Sequence, residues 1–153
     1  MNGASPSATF PPVILMVEDD PDAIKLLRVA LAKSGFQNQV LEAHDGEEAI
    51  ELVEGQGKFQ DRALYPVPQI ILLDLKMPRL GGLDFLKWFR ASPLGQLTPV
   101  IVLTGSLLIS DFNDAYRAGA NSFLIKAPDA TQFMAQVASL GRVWLSPHAR
   151  LPG

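Results

Sequence analysis

An aspartate closes an apolar run at Ile70-Ile71-Leu72-Leu73-Asp74, just ahead of Leu75-Lys76-Met77-Pro78. A second run, Val13-Ile14-Leu15-Met16-Val17, ends in the acidic triplet Glu18-Asp19-Asp20. Val100-Ile101-Val102-Leu103 ends in Thr104, and Phe123-Leu124-Ile125 ends in Lys126. A carboxylate is a competent oxygen nucleophile toward phosphorus, forming an acyl phosphate. Clustered carboxylates repel and raise one another's pKa unless a cation sits among them. A hydroxyl and an ammonium can neutralise the charge that spreads over phosphoryl oxygens during transfer. Ligands of parallel sheets bind outside the carboxyl ends of the strands. If these four runs are neighbouring parallel strands, their ends meet as a site for a divalent cation and a phosphoryl group.

The elements that must position these residues follow from hydrophobic spacing. Val13 to Glu18 is continuously apolar up to its end, as expected of a strand buried on both faces. Asp20-Pro21-Asp22 is a helix start, with aspartate as N-cap and proline in the first turn. Ile24, Leu27, Val29 and Leu31 carry that helix to a C-cap at Gly35. Gln37 to His44 is a more polar strand, suited to a sheet edge. Asp45-Gly46-Glu47-Glu48 resembles a capping box and opens a helix through Ile50 and Val53 to Gly55. Gly55 to Gln69 is a long loop. After the strand ending at Asp74, Pro78 to Gly82 is a turn and Leu83 to Ala91 a helix with Phe85, Leu86 and Phe89 inward. Val100 to Thr104 is a strand, followed by a helix from Asp111 to Ala118 capped by Ser110. Ser122 to Ile125 is the last strand. Asp129-Ala130-Thr131-Gln132 starts a final helix with Phe133, Val137, Leu140 and Trp144 at helical spacing. Five strand–helix units in series imply a parallel sheet with helices on both faces, joined by right-handed crossovers.

Composition narrows the function classes. A chain of 153 residues, 48% hydrophobic and 19% charged, suits one globular domain over residues 13–146, with tails at 1–12 and 147–153. The net charge of −3 and the lack of a basic run argue against nucleic acid as a partner. No apolar run approaches the ~20 residues that span a bilayer, and the start, Met1 to Thr9, lacks the basic and apolar parts of a signal peptide. Cysteine is absent, which fits a reducing cytoplasm and rules out thiolate chemistry.

The ordered set Glu18-Asp19, Asp74, the Met77-Pro78 and Gly81-Gly82 turn, Thr104 and Lys126 resembles the receiver domains of two-component response regulators, such as the bacterial chemotaxis regulator. The resemblance covers residues 13 to 145. It implies a flavodoxin-like α/β fold, a doubly wound five-stranded parallel sheet of order 2-1-3-4-5 with helices on both faces. It implies a phosphorelay switch, not an enzyme beyond self-catalysed phosphotransfer and autodephosphorylation. A sensor histidine kinase or phosphotransfer protein would supply the phosphoryl group to Asp74, with Lys126 and Thr104 holding the phosphoryl oxygens. Mg²⁺ suits carboxylate and carbonyl oxygen. By resemblance it would be held by Asp19, Asp74 and the main-chain carbonyl of Lys76, with Glu18 acting through water. Asp20 is left to the helix cap.

Further features qualify that resemblance. Phe123 is either the aromatic that moves inward with Thr104 on phosphorylation or a core residue of the last strand. Phosphorylation would bias the surface of the last helices and strand. Lys76 and Ser106 stand where the family tunes phosphoryl lifetime. The family has proline directly after the lysine, whereas here the order is Lys126-Ala127-Pro128. A cis bond before Ala127 would cost about 2.5–4 kcal/mol, so the loop is trans there or strained. The loop at residues 55–69 and Val143-Trp144-Leu145 resemble single-domain receivers paired with phytochrome-type kinases, which often form homodimers through the last helix and strand. Trp144 and Met134 would be contacts in such a dimer, or Trp144 ends the apolar stripe of its own helix. The chain stops at Gly153 without an output domain, which implies a stand-alone receiver. Two rivals stand: a degenerate receiver acting as a phosphorylation-independent interaction module, and an aspartate-nucleophile phosphatase. The latter needs an acid two residues after the nucleophile, where Lys76 stands. A nucleotide site lacks its Gly-rich phosphate loop, since Glu18-Asp19-Asp20-Pro21 follows the first strand.

Overall fold

The computed structural model describes residues 11–145. The proposed tails at 1–12 and 147–153 fall almost wholly outside the described residues. Strands and helices alternate as β1 (Ile14–Val17), α1 (Pro21–Lys33), β2 (Val40–Ala43), α2 (Gly46–Glu54), β3 (Ile70–Leu73), α3 (Gly82–Ala91), β4 (Val100–Thr104), α4 (Ile109–Ala118), β5 (Ser122–Ile125) and α5 (Ala130–Leu140). The five strands form one sheet in the order β2-β1-β3-β4-β5, and every neighbouring pair is parallel. β1, β3 and β4 are buried along their whole length, whereas the edge strand β2 alternates. The order is the one that the family resemblance implies, and the edge strand is the polar one read from the sequence.

The period-2 alternation of strand side chains divides the core into two layers. Leu15, Val17, Ile71, Leu73, Val100 and Val102 face α2, α3 and α4. Ile14, Met16, Ile70, Leu72, Ile101 and Leu103 face α1 and α5. Phe85 and Phe89 stack at 5.5 Å in the first layer, and Phe133 fills the second. Each such fully buried side chain contributes roughly 1.5–3 kcal/mol by leaving water.

Helix starts follow local chemistry. Asp20 accepts from the Asp22 amide at 2.9 Å, Asp45 from Glu48 at 2.8 Å and Asp129 from Gln132 at 2.7 Å. The Asp45 box is not reciprocal, because the Glu48 carboxylate accepts from the His44 amide, one residue early. α1 ends in paired bonds from Phe36 to the Leu31 carbonyl and from Gly35 to Ala32, with Gly35 at φ +81°. The C-cap is Ser34, and Gly35 follows it as the left-handed residue that closes such a motif.

Four local expectations are corrected. Val29 is 38% exposed, and Ala30 takes its place on the buried face, since 24-27-31 already completes the helical stripe. α4 begins at Ile109 with Leu108 at its N-cap and no side-chain cap, so Ser110 lies inside the helix. Ser106 serves the turn instead, accepting from the Leu108 amide at 3.3 Å. The residues 55–69 loop contains a 3₁₀ turn, Gly57–Phe59, whose Phe59 is buried edge-on to Tyr65. Arg62 fixes the same loop by donating to the Leu52 and Val53 carbonyls at the end of α2. Past Leu140 the helix widens to a π turn, Gly141–Leu145. That extra residue per turn buries Leu145 and leaves Trp144 half-buried against the α1–α5 layer.

Candidate functional site

The strand ends converge as the parallel order requires. Glu18 follows β1, Asp74 follows β3, Thr104 closes β4 and Lys126 follows β5. The Asp74 amide donates to the Val17 carbonyl at 3.0 Å and the Lys126 amide to the Thr104 carbonyl at 2.6 Å, so the ladders carry register into the site. Together with Asp19 and Lys76 they line a cleft of about 510 Å³.

Within the cleft Thr104 Oγ1 donates to Asp74 Oδ1 at 2.7 Å. Lys126 Nζ lies 2.5 Å from Glu18 Oε1 and 4.0 Å from Asp74 Oδ2. The Lys126-Ala127 peptide is trans, as are all described peptides. The lysine therefore reaches the cleft without a cis bond. Thr104 is wholly buried, Glu18 is 1% exposed, and Asp19 stands in solvent. Burial pushes the Glu18 carboxyl up to about 7; Asp74's charge adds to the rise, and the Lys126 hydrogen bond opposes it. Thr104 does not stop at Asp74: its hydroxyl also accepts weakly from the Ser106 amide at 3.4 Å.

The donor set fits a hard divalent cation. Glu18, Asp19 and Asp74 each offer a carboxylate oxygen, and all three atoms lie within 4.8 Å of one another. All-oxygen donors with net negative charge suit Mg²⁺ or Mn²⁺ rather than a soft metal.

Phe123 is not part of this cleft. It lines a neighbouring apolar groove beside α4 and packs edge-on against Phe112 at 5.4 Å. Two further polar linkages are not evident from the sequence. Asp111 accepts from Ser106 Oγ and from Lys76 Nζ, the latter at 3.4 Å. The serine hydrogen bond, followed by Lys76, holds its carboxyl below the usual range. Arg79 pairs with Asp45. Asp45 is visible in the sequence only as a helix cap, and Arg79 only as a turn residue, because their pairing joins separate loops.

Comparison with known proteins agrees with this arrangement. A family model described as the response regulator receiver domain matches residues 14–138. The response regulator Rcp1 of Synechocystis sp. is 30% identical over 135 residues, 88% of this chain and 90% of Rcp1. The solved structure of the phosphorylated cyanobacterial phytochrome response regulator RcpA superposes with a TM-score of 0.84 at 30% identity, over 93% of this chain and 99% of that chain. The Mn²⁺-bound form of response regulator Rcp1 superposes with a TM-score of 0.83 at 29% identity, over 94% of this chain and 100% of that one.

Proposed function

This chain belongs to the family of response regulator receiver domains, and on that premise we propose that Asp74 is its phosphoacceptor. The observation that carries the reading is one carboxylate at the end of β3 held by Thr104 Oγ1 at 2.7 Å, with Lys126 Nζ at 4.0 Å. The donor is the phosphohistidine of a sensor histidine kinase or phosphotransfer protein. The phytochrome regulator RcpA and its likeness to this chain support a phytochrome-type kinase. An oxygen of Asp74 forms the new P–O bond as the histidine P–N bond breaks, and the nitrogen keeps the electron pair. Lys126 neutralises the phosphoryl oxygens, and the Thr104 hydroxyl, which donates to Asp74, passes its hydrogen bond to one of them. Asp19, Asp74 and the Lys76 main-chain carbonyl would hold Mg²⁺, with Glu18 acting through water, and the ion would supply further charge neutralisation. The Mn²⁺ in the Rcp1 structure supports a divalent cation of this size and hardness. Water later hydrolyses the acyl phosphate, and no other turnover is assigned to the chain. We assign the exchange to the cytoplasm, where such kinases draw on ATP.

Incubation with acetyl phosphate and Mg²⁺, followed by intact mass, tests the reading. A gain of one phosphoryl group that disappears on chelation is expected. A chain that never gains it would behave as a silent interaction module instead. Lys126→Ala is expected to slow the transfer about 100-fold, the loss that follows removal of one charge-stabilising donor. It also removes the hydrogen bond that lowers the Glu18 carboxyl, so that carboxyl rises further. A rate unchanged by Lys126→Ala would remove the lysine from the machinery.

We further propose a homodimer through the last helix and strand, where Val143 beyond α5 and Ile125 on β5 are exposed. Met134 and Trp144 are half-buried there and remain available at the rim. Sedimentation at high micromolar concentration should show the dimer, with and without beryllofluoride. Monomer alone under both conditions would reject it. Among the described residues, no helix is long and apolar enough to cross a membrane.

A further inference from the structure

We propose that the Arg79–Asp45 pair is a positioning device for the divalent cation, a role that rests on the site reading above. The pair joins the loop after Asp74 to the start of α2. Asp45 is 1% exposed, and both its oxygens are engaged, Oδ1 by the Glu48 amide at 2.8 Å and Oδ2 by Arg79. A carboxylate so buried must be matched by charge or hydrogen bonds, and a planar guanidinium supplies both. Arg79 lies at φ +58°, the only non-glycine residue in the left-handed region among the described residues. A side-chain residue in that region is disfavoured unless its surroundings hold it there. The Arg79 side chain is 68% exposed, and the Asp45 carboxylate is the partner that tethers it.

The same loop touches α2 at one other point. The Gly46 amide donates to the Leu80 carbonyl at 2.8 Å. A Cβ at Gly46 would fall 2.6 Å from that oxygen, so the two backbones meet in close contact. At its base the loop closes on itself through the Gly82 amide and the Leu75 carbonyl at 3.1 Å. Residues 75–82 are thus tied at the base and at the tip, and the tip is tied to α2 by one neutral hydrogen bond and one ion pair. Lys76, whose carbonyl is the main-chain ligand in the proposed cation site, lies between those ties. Loosening the tip frees that carbonyl, and groups that orient metal ligands without touching the metal commonly set its affinity.

Arg79→Gln separates this role from simple electrostatics. Removing a positive charge near a cation site should by Coulomb attraction alone tighten Mg²⁺ binding. If the pair positions the loop, Arg79→Gln weakens it instead, by about tenfold. Asp45→Asn, which keeps the α2 cap, is expected to weaken binding by a similar factor. The double variant should fall no further than either single one, because one linkage is broken. Calorimetric titration with Mg²⁺ alone gives the affinities. Hydrogen exchange of the metal-free proteins gives the loop directly: the amides of Gly46, Lys76 and Gly82, which are hydrogen-bonded in and to the loop, should exchange faster in both variants, with those of α1 and α5 unchanged. Tighter or unchanged Mg²⁺ binding by Arg79→Gln overturns the proposal. So do loop amides that exchange at the wild-type rate. Wild-type protein that takes up no Mg²⁺ overturns the metal reading of the cleft, and the exchange rates then still decide whether the pair holds the loop.

Discussion

Asp74→Asn is expected to gain no phosphoryl group from acetyl phosphate and Mg²⁺ under conditions that convert the wild type. Asparagine can still accept from Thr104 Oγ1, now 2.7 Å from Asp74 Oδ1, so the hydrogen-bond frame persists. What disappears is the nucleophilic oxygen anion, and an amide does not replace it. The substitution also removes one of the three clustered carboxylates. Asp74 is one of the causes that raise Glu18, so in the variant that carboxyl titrates lower. Less like-charge repulsion remains in the metal-free site. Thermal unfolding without metal should therefore begin at or above the wild-type temperature, while stabilisation by added Mg²⁺ shrinks. Loss of transfer joined to an intact metal-free fold separates a chemical role from a structural one. A variant that still gains the phosphoryl group would move the acceptor elsewhere in the acidic cluster, Asp19 first.

Gly82→Ala is expected to destabilise the fold by about 3 kcal/mol. An alanine Cβ would lie 2.1 Å from the Asp74 carbonyl oxygen, 2.8 Å from Leu75 Cα and 3.0 Å from the Asp74 carbonyl carbon. All three atoms are backbone, so no side chain can turn away. Relief requires α3 to retreat from the end of β3, and that retreat drags the proposed phosphoacceptor with it. Gly105→Ala is the control, since nothing lies within 4 Å of its Cβ position, and it should stay within about 0.5 kcal/mol of wild type. Urea unfolding midpoints of the two variants make the comparison. Equal midpoints would mean that the loop after Asp74 yields freely, contrary to its ties to α2.

Asp20, Asp45 and Asp129 were legible as helix caps because a cap is settled within a few residues of sequence. The ends of β1, β3 and β4 were legible for a related reason: a doubly buried strand is a continuous apolar run, and the first polar residue after it marks the edge of the core. The edge strand β5 carries a short apolar run ending at Lys126 although it is only half-buried. Ser110 and Val29 were misplaced by the same short-range reasoning. At α4 the helix begins two residues early, behind a turn served by Ser106. On α1 a small alanine outranks a larger valine once the stripe is fixed by Ile24, Leu27 and Leu31. Phe59 and Arg62 gave no local signal, since a loop residue that plugs a core is recognised only by the hole it fills.

The sequence by itself determined the alternation of strands and helices and the polar residues at the strand ends. It did so because apolar periodicity and capping depend on neighbours along the chain. The order of the sheet came with the family that those residues resemble. Tertiary structure alone decided which of those ends touch. Lys126 lies 2.5 Å from Glu18 across 108 positions of sequence, Asp111 gathers Ser106 and Lys76, and Arg79 reaches Asp45. Such pairings depend on loop paths and rotamers in three dimensions, and on the low solvent exposure that makes a buried carboxylate require a cation, which no spacing along the chain encodes.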